Sequence, residues 1–281
     1  MRQSEIEDQM TSTVAKSNDL MQRATFNLTA TEQKFIAYII SLIKPEDKEL
    51  QFYNVKVADF AQLCGYNPKS VYADFKALIE KIDDKCFWLT LGTNKEEVTF
   101  RFRWFSEAKY YKTKGIIRVL LNSEIKKYLL DLISRGNYTQ YDLYNVLGLK
   151  SKYSIRLYEL LKSYAYKSEI HYKTQELKGL LGAETYKNFY DFRERVLKRS
   201  TEEINLYTDL EISFTLYDKD GAPIEGNPKG KTTKGVSFSI KKKDIEQSYT
   251  VYRKTIEEIN KRNKQIKGQL EFDELGNITE Y

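Results

Sequence analysis

The sequence predicts an α+β chain made of two tandem winged-helix domains related by internal duplication. Residues 53–79 align without a gap with residues 170–196, an offset of 117, so that Val55, Phe60, Leu63, Cys64, Gly65, Tyr72, Phe75 and Ile79 fall on Tyr172, Leu177, Leu180, Leu181, Gly182, Phe189, Phe192 and Val196. Each copy reads as short strand, short helix, glycine at the helix C′ position and longer amphipathic helix. That is the helix-turn-helix layout, and flanking β-segments make it winged. Length agrees, since 281 residues is enough for two domains of ~100–140 residues with a core each.

Along the chain, residues 1–17 are polar and are expected to form a disordered lead. The first domain then covers 18–150, the second 151–243, and a polar helical tail 244–281. Thr29 and Glu32 form a capping box ahead of Phe35, Ile36, Ile39, Ile40 and Ile43, which recur at helical spacing until Pro45. Residues 52–55 are strand-like, 57–64 a short helix ended by Gly65, and Asn67-Pro68 opens a helix reaching about Ile82, because proline at the first helical position already has the right φ. Alternation over 86–91 and 98–105 around Gly92 predicts a β-hairpin where a wing belongs. Residues 116–121 form a third strand, 123–133 a helix, and 141–147 a further helical piece before a boundary at 148–152. The second domain repeats the plan: helix 153–166, a strand at Ile170, short helix 174–181, long helix 186–206, and strands at 210–216 and 236–240. Between these strands, 218–235 is rich in Gly, Pro and Lys and reads as a mobile basic wing.

Charge and residue counts narrow the function. Formal net charge is +6, a weak hint of a polyanionic partner. Six lysines and no acid lie between Lys229 and Lys243, whereas the tail from Asp244 carries six basic and eight acidic residues. Cys64 and Cys86 stand singly, as buried reduced thiols do. No run approaches ~18 apolar residues, so a cytoplasmic protein with no membrane partner is expected. His171 is the only histidine. Histidine metal sites, Ser-His or Cys-His nucleophiles and the two-histidine metal motif of DNA-nicking initiators therefore lack raw material, and no Gly-x-x-x-x-Gly-Lys phosphate loop is present. No enzyme activity, metal or cofactor is expected.

The two long helices carry the candidate DNA-binding residues. With Phe189, Phe192 and Val196 facing the core, the opposite face of the second presents Lys187, Asp191, Glu194 and Lys198, flanked by Asn188 and Arg195. Arginine and lysine read guanine, asparagine reads adenine, and aspartate accepts from cytosine, so the inventory suits major-groove reading. Lys229, Lys231 and Lys234 of the wing suit phosphates. In the first domain Val71, Phe75, Leu78, Ile79 and Ile82 form the core face, while Lys69, Ser70, Ala73 and Ala77 face out with Lys76 at the edge. This thinner charge predicts a secondary DNA contact. Tyr110 and Tyr111, before Lys112, Lys114 and Gly115, suit either a wing base or a dimer contact.

Asn18-Asp19-Leu20-Met21 with Ala24, Phe26, Leu28, Thr29, Glu32 and Lys34 resembles the iteron-binding plasmid replication initiators. Two further blocks resemble the same family, Tyr153-Ser154-Ile155-Arg156-Leu157-Tyr158-Glu159-Leu160-Leu161 and the ordered Tyr, Phe, Phe, Arg-Val-Leu, Glu-Ile-Asn pattern of 186–205; the match runs from about Asn18 to Ile240. The resemblance implies two winged-helix domains, no catalytic activity, monomers on direct repeats of double-stranded DNA at a plasmid origin, and homodimers, formed through the first domain, that repress the initiator's own gene. It also implies DNA opening and recruitment of host helicase or initiator proteins. Carried over by position, Lys187, Asn188, Asp191, Arg195 and Lys198 are the main base readers, Arg193 reaches a phosphate, and Arg156 bonds either a phosphate or the surroundings of Glu159. Three rivals share part of this pattern: a transcriptional regulator without origin function, a strand-nicking enzyme using a tyrosine, and a protein-interaction module.

Overall fold

The computed structural model describes residues 3–92, 96–224 and 233–276, apart from the side chains of residues 3, 68, 70–75 and 268–276. The chain opens with helix α1 (Gln3–Met10) and strand β1 (Thr13–Ser17). The lead is therefore ordered, contrary to its polar composition, because Ile6, Met10 and Val14 are all buried in the core and β1 pairs antiparallel with segment Tyr138–Asp142. Helix α2 (Asn18–Arg23), strand β2 (Ala24–Thr25) and helix α3 (Ala30–Ile40) follow. The capping box of α3 is formed: Glu32 N–H donates to Thr29 Oγ1 at 3.3 Å, and Thr29 N–H donates to Glu32 Oε2 at 2.7 Å.

Strand β3 (Phe52–Lys56), helix α4 (Val57–Cys64) and helix α5 (Pro68–Asp84) form the first helix-turn-helix unit. Next come β4 (Phe87–Leu91), β5 (Val98–Phe102), β6 (Phe105–Tyr111) and β7 (Ile116–Leu121). The helix expected at 123–133 is instead a 3-10 stretch, Ser123–Tyr128, and a one-turn α6 (Leu132–Arg135), separated by Asp131 in the left-handed region at φ 54°. Strand β8 (Tyr138–Asp142) and helix α7 (Tyr144–Leu147) close the first domain.

The second unit runs α8 (Lys152–Lys162), β9 (Glu169–Lys173), α9 (Thr174–Leu181) and a long composite helix. That helix joins α10 (Phe189–Phe192), a π-helical turn (Arg193–Lys198) and α11 (Arg199–Tyr207), before strands β10 (Leu210–Tyr217) and β11 (Gly235–Lys242) and the final helix α12 (Ile245–Gly276). Duplication is visible end for end. Strand β3 and helix α4 map onto β9 and α9 at the same offset of 117, and Gly65 and Gly182 both cap their helices in the left-handed region, at φ 64° and 62°. Only glycine enters that region without strain.

The sheets correct one assignment. In the second unit the order is β10-β11-β9, and in the first it is β3-β7-β6. Val57 N–H donates to Gly115 O just as Thr174 N–H donates to Lys234 O, each at 2.9 Å. The first wing is therefore the β6–β7 hairpin, with Lys112-Thr113-Lys114-Gly115 at its tip and Tyr110 and Tyr111 adjoining that tip, opposite Ile117 and Ile116, and not at the base. The hairpin β4–β5 belongs to a separate sheet, β2-β4-β5. Local alternation identifies a hairpin but not the strand it pairs with, and here the decisive partner, β3, lies about thirty residues upstream of β4.

One continuous core runs through both domains, and a polar junction binds them. Gln33 Nε2 donates to Lys152 O at 3.1 Å and Lys152 Nζ to Asn27 Oδ1 at 2.7 Å, while Lys34 Nζ, within the first domain, donates to Leu147 O at 2.8 Å. Glu203 of α11 accepts from the linker N–H groups of Lys150 and Ser151, both at 3.0 Å. Burial pushes the Glu203 carboxyl up, but these N–H donors outweigh it and hold the group below its usual range. Likewise the buried Glu159 is held low by Lys16 and Tyr141, against the upward push of its burial.

Candidate nucleic-acid interface

The long helix of the second unit starts at Phe189, three residues later than its apolar pattern suggests, because the Asn188 side chain caps it by accepting from Tyr190 N–H at 2.9 Å. Lys187 and Asn188 are exposed just before the helix. Since the Asn188 carbonyl oxygen serves the cap, two-point adenine reading would uncap the helix, and its NH2 is the group left for a base. Phe189, Phe192, Val196, Leu197, Ser200, Ile204 and Tyr207 are buried. Burial of both Val196 and Leu197 reflects the π turn, which inserts a residue and rotates the rest of the helix by roughly 100° relative to a regular α-helix.

On the outward side, Arg195 and Lys198 are exposed, with Asp191 and Arg193 half-buried. Arg195 Nε lies 3.4 Å from Asp191 Oδ1, Lys198 Nζ 3.3 Å from Glu194 Oε2, and Arg193 Nη2 2.8 Å from Glu194 Oε1. Hydrogen bonds from Arg193, then Lys198, hold the Glu194 carboxyl below its usual range. Exposed pairs one turn apart are weak in water, so DNA can take these cations over. Arg199, exposed and 3.1 Å from Glu203 Oε1, extends the row. Sequence phase alone missed it, because the rotation at the π turn is invisible to a fixed 100° step.

The N-terminal end of this helix opens into a cleft of about 790 Å³ shared with α9 and the wing base. Lys173, Lys178, Lys187, Lys219 and Lys234 line it together with Asn188, and among the described residues no acidic one does. Lys178 Nζ donates to Tyr186 O at 2.7 Å and lies over the Phe192 ring at 5.0 Å; burial, then repulsion from Lys187, lowers its pKa. An anion seated here would relieve that repulsion. Lys187 and Asn188, expected on the reading helix, and Lys234, expected on the wing, are brought together here, while Lys173 and Lys219, unremarkable in sequence, join them through the fold. Lys229 and Lys231 lie outside the described residues.

The first unit differs in charge. Lys69 and Lys76 on α5 are exposed, Lys76 pairing with Glu80 at 3.4 Å; Ser70 and Ala73 lie on the same helix, their side chains outside the described parts. The cleft between α5 and β6, about 730 Å³, is lined by Lys76, Arg103 and Lys109 but also by Glu80, Asp83 and Glu107. Its charges cancel, so it has no preference for a phosphate. Exposed Lys112 and Lys114 at the first wing tip supply cations that the misplaced wing had hidden.

Arg156 is a correction. Only 2% exposed, it donates from Nη2 to Ala24 O at 2.6 Å, Nη1 to Met21 O at 2.7 Å and Nε to Leu180 O at 3.1 Å, with Phe26 packed against its guanidinium. Buried and turned toward backbone carbonyls, it is not placed to reach a phosphate, and it makes no hydrogen bond to Glu159. Instead it staples the first domain's β2 region to α8 and α9.

Two family profiles match the chain in turn: "Initiator Replication protein, WH1" over residues 13–162, which takes in α8, and "Initiator Rep protein, WH2" over residues 173–240. The chain belongs to this replication initiator family. Both of its winged helices are thereby accounted for, and α12 falls beyond the match. A replication initiation protein of Escherichia coli is 25% identical over 228 residues, spanning 75% of this chain and 67% of that protein. The crystal structure of the Pi initiator protein in complex with iteron DNA superposes with a TM-score of 0.62 at 21% identity, covering 84% of this initiator and 99% of that chain. Among the described residues of the initiator no helix is long and apolar enough to cross a membrane.

Proposed function

We propose that this initiator acts in the cytoplasm to start replication of a plasmid, binding direct repeats at the origin as a monomer, opening the DNA and recruiting host helicase or initiator proteins. The observation that carries the reading is the five-lysine cleft continuous with the helix bearing Arg195, Lys198 and Arg199. It offers phosphate contacts beside base-reading side chains, the division of labour that specific DNA binding requires. The second domain is the main reader, and the first adds a weaker contact through α5 and its lysine-tipped wing. The work is binding work, without covalent chemistry, consistent with a single histidine.

Autorepression by a homodimer is the second part of the proposal, supported by the outer edge of β5, the last strand of its sheet. There Val98 is 51% exposed and Phe100 37%, apolar residues on a strand edge able to pair with its twin across a two-fold axis. Footprinting the purified protein on DNA flanking its own gene tests both parts. Protection of a series of direct repeats beside an AT-rich segment is expected; protection of a single palindrome and nothing else would make the protein a transcriptional regulator.

A further inference from the structure

The polar tail packs more closely than its few apolar residues would suggest. Val251, Thr255, Ile256 and Ile259 of α12 are buried, and the helix touches three separate pieces of the fold. Thr255 lies over the linker at Gly148, where an added Cβ would sit 3.3 Å from its side chain and 3.0 Å from Tyr207 Cβ. Tyr207, at the end of the second long helix, donates its hydroxyl to Glu258 at 2.7 Å. Further along, Asn263 Nδ2 donates to Gln62 O at 2.9 Å, and the Arg262 stem lies so near Gly65 that a Cβ there would stand 3.1 Å away.

These contacts join the reading helix of the second domain directly to the helix-turn-helix corner of the first. Arg156 is an attachment between the domains at a different place, where β2, α8 and α9 meet. Arg156, together with the Gln33–Lys152 and Lys152–Asn27 bonds, holds the domains on that side, and α12 adds a second line of contacts away from it, which further limits rotation between the two units. We infer that α12 is a positioning element that sets the spacing and rotation of the two DNA-reading units, so that the full chain recognises a composite site of one fixed length. This rests on the proposal that both units meet DNA. Linked binding units reinforce each other only when their geometry matches the span, and rigidity in the bound arrangement removes an ordering cost.

The test uses the full chain carrying Glu258→Ala, Arg262→Ala and Asn263→Ala, all partly exposed positions. Three duplexes are compared by gel shift: the footprinted repeat, the repeat with its first-domain half scrambled, and the repeat with about 2 bp inserted between the halves, a rotation of roughly 70°. The variant should bind the half-scrambled duplex like wild type, lose about tenfold on the intact repeat, and discriminate less than wild type against the insertion. If the variant melts early, Asn263→Ala alone is measured, with the same signs expected. Unchanged affinity and unchanged discrimination, or equal loss on all three duplexes, would overturn the inference. Wild-type protein that binds the half-scrambled duplex as tightly as the intact repeat would instead remove the first domain's DNA contact, and the positioning role with it.

Discussion

Replacing Arg156 separates two roles that its place in the sequence leaves open. In Arg156→Met the aliphatic stem is kept, while three hydrogen bonds from a cation to Met21, Ala24 and Leu180 carbonyls disappear. Bonds involving a charged group contribute ~1.5–3 kcal/mol each, and removing the charge returns part of its burial cost, so a net loss of about 3–5 kcal/mol is expected. Arg156→Lys should lose nearly as much. Its single ammonium cannot direct bonds to three carbonyls, yet it would serve a phosphate well. Urea denaturation of the full chain measures the loss, and the dependence of DNA affinity on salt measures the alternative. A stable Met variant whose log K against log salt slope is shallower by about 0.9, restored by lysine, would refute the staple and return Arg156 to the DNA surface.

Arg195→Ala and Lys198→Ala should each weaken specific binding by roughly 1–3 kcal/mol if they read bases, with unchanged thermal melting; a pair of variants that binds like wild type removes this helix from the interface. Replacing Lys219 and Lys234 by Ala should lower affinity for every sequence alike and flatten the salt slope by about 0.9 for each phosphate that is no longer neutralised; an unchanged slope would empty the cleft of phosphate. Val98→Glu with Phe100→Glu places charges on the β5 edge and should leave the protein monomeric in sedimentation, and a persistent dimer would locate self-association elsewhere. Burial lowers the Lys34 pKa from 10.5 to about 8, so between those pH values the unfolded chain binds more protons and stability from this group rises with pH. The stability of Lys34→Met relative to wild type should accordingly fall by about 3 kcal/mol across that interval; a pH-independent difference would contradict the buried cation.

What the sequence made legible is what local chemistry specifies. Gly65 and Gly182, the Thr29 capping box, Asn67-Pro68 and the strand alternation at Ile116–Leu121 each fix backbone within a few residues, and each stands where expected. Two departures were local, the Asn188 cap that delays the long helix and the left-handed Asp131 that breaks the 123–133 helix; the larger errors were non-local. Which hairpin became the first wing depended on pairing with β3. The lead was ordered by three apolar side chains whose partners lie far away in sequence. Arg156 reads as a basic residue in a family motif, and only tertiary packing shows its hydrogen bonds turned inward. In the site, Lys187, Asn188 and Lys234 were legible as a helix start and a basic wing, but Lys173 and Lys219 acquire meaning only when β9 and the wing close around one cleft.

The π turn at Arg193–Lys198 gives the reading helix a register that can be reset. Removing one residue there would restore regular α-helical spacing and turn everything C-terminal to it by about 100° relative to Phe189 and Phe192. Arg199 and its neighbours would then sweep to another side of the helix, while Lys187 and Asn188 kept their place at the cleft. The same rotation would carry Ser200, Ile204 and Tyr207 out of their buried positions, so a single-codon deletion changes which side chains meet the bases only at the expense of repacking the core behind the helix.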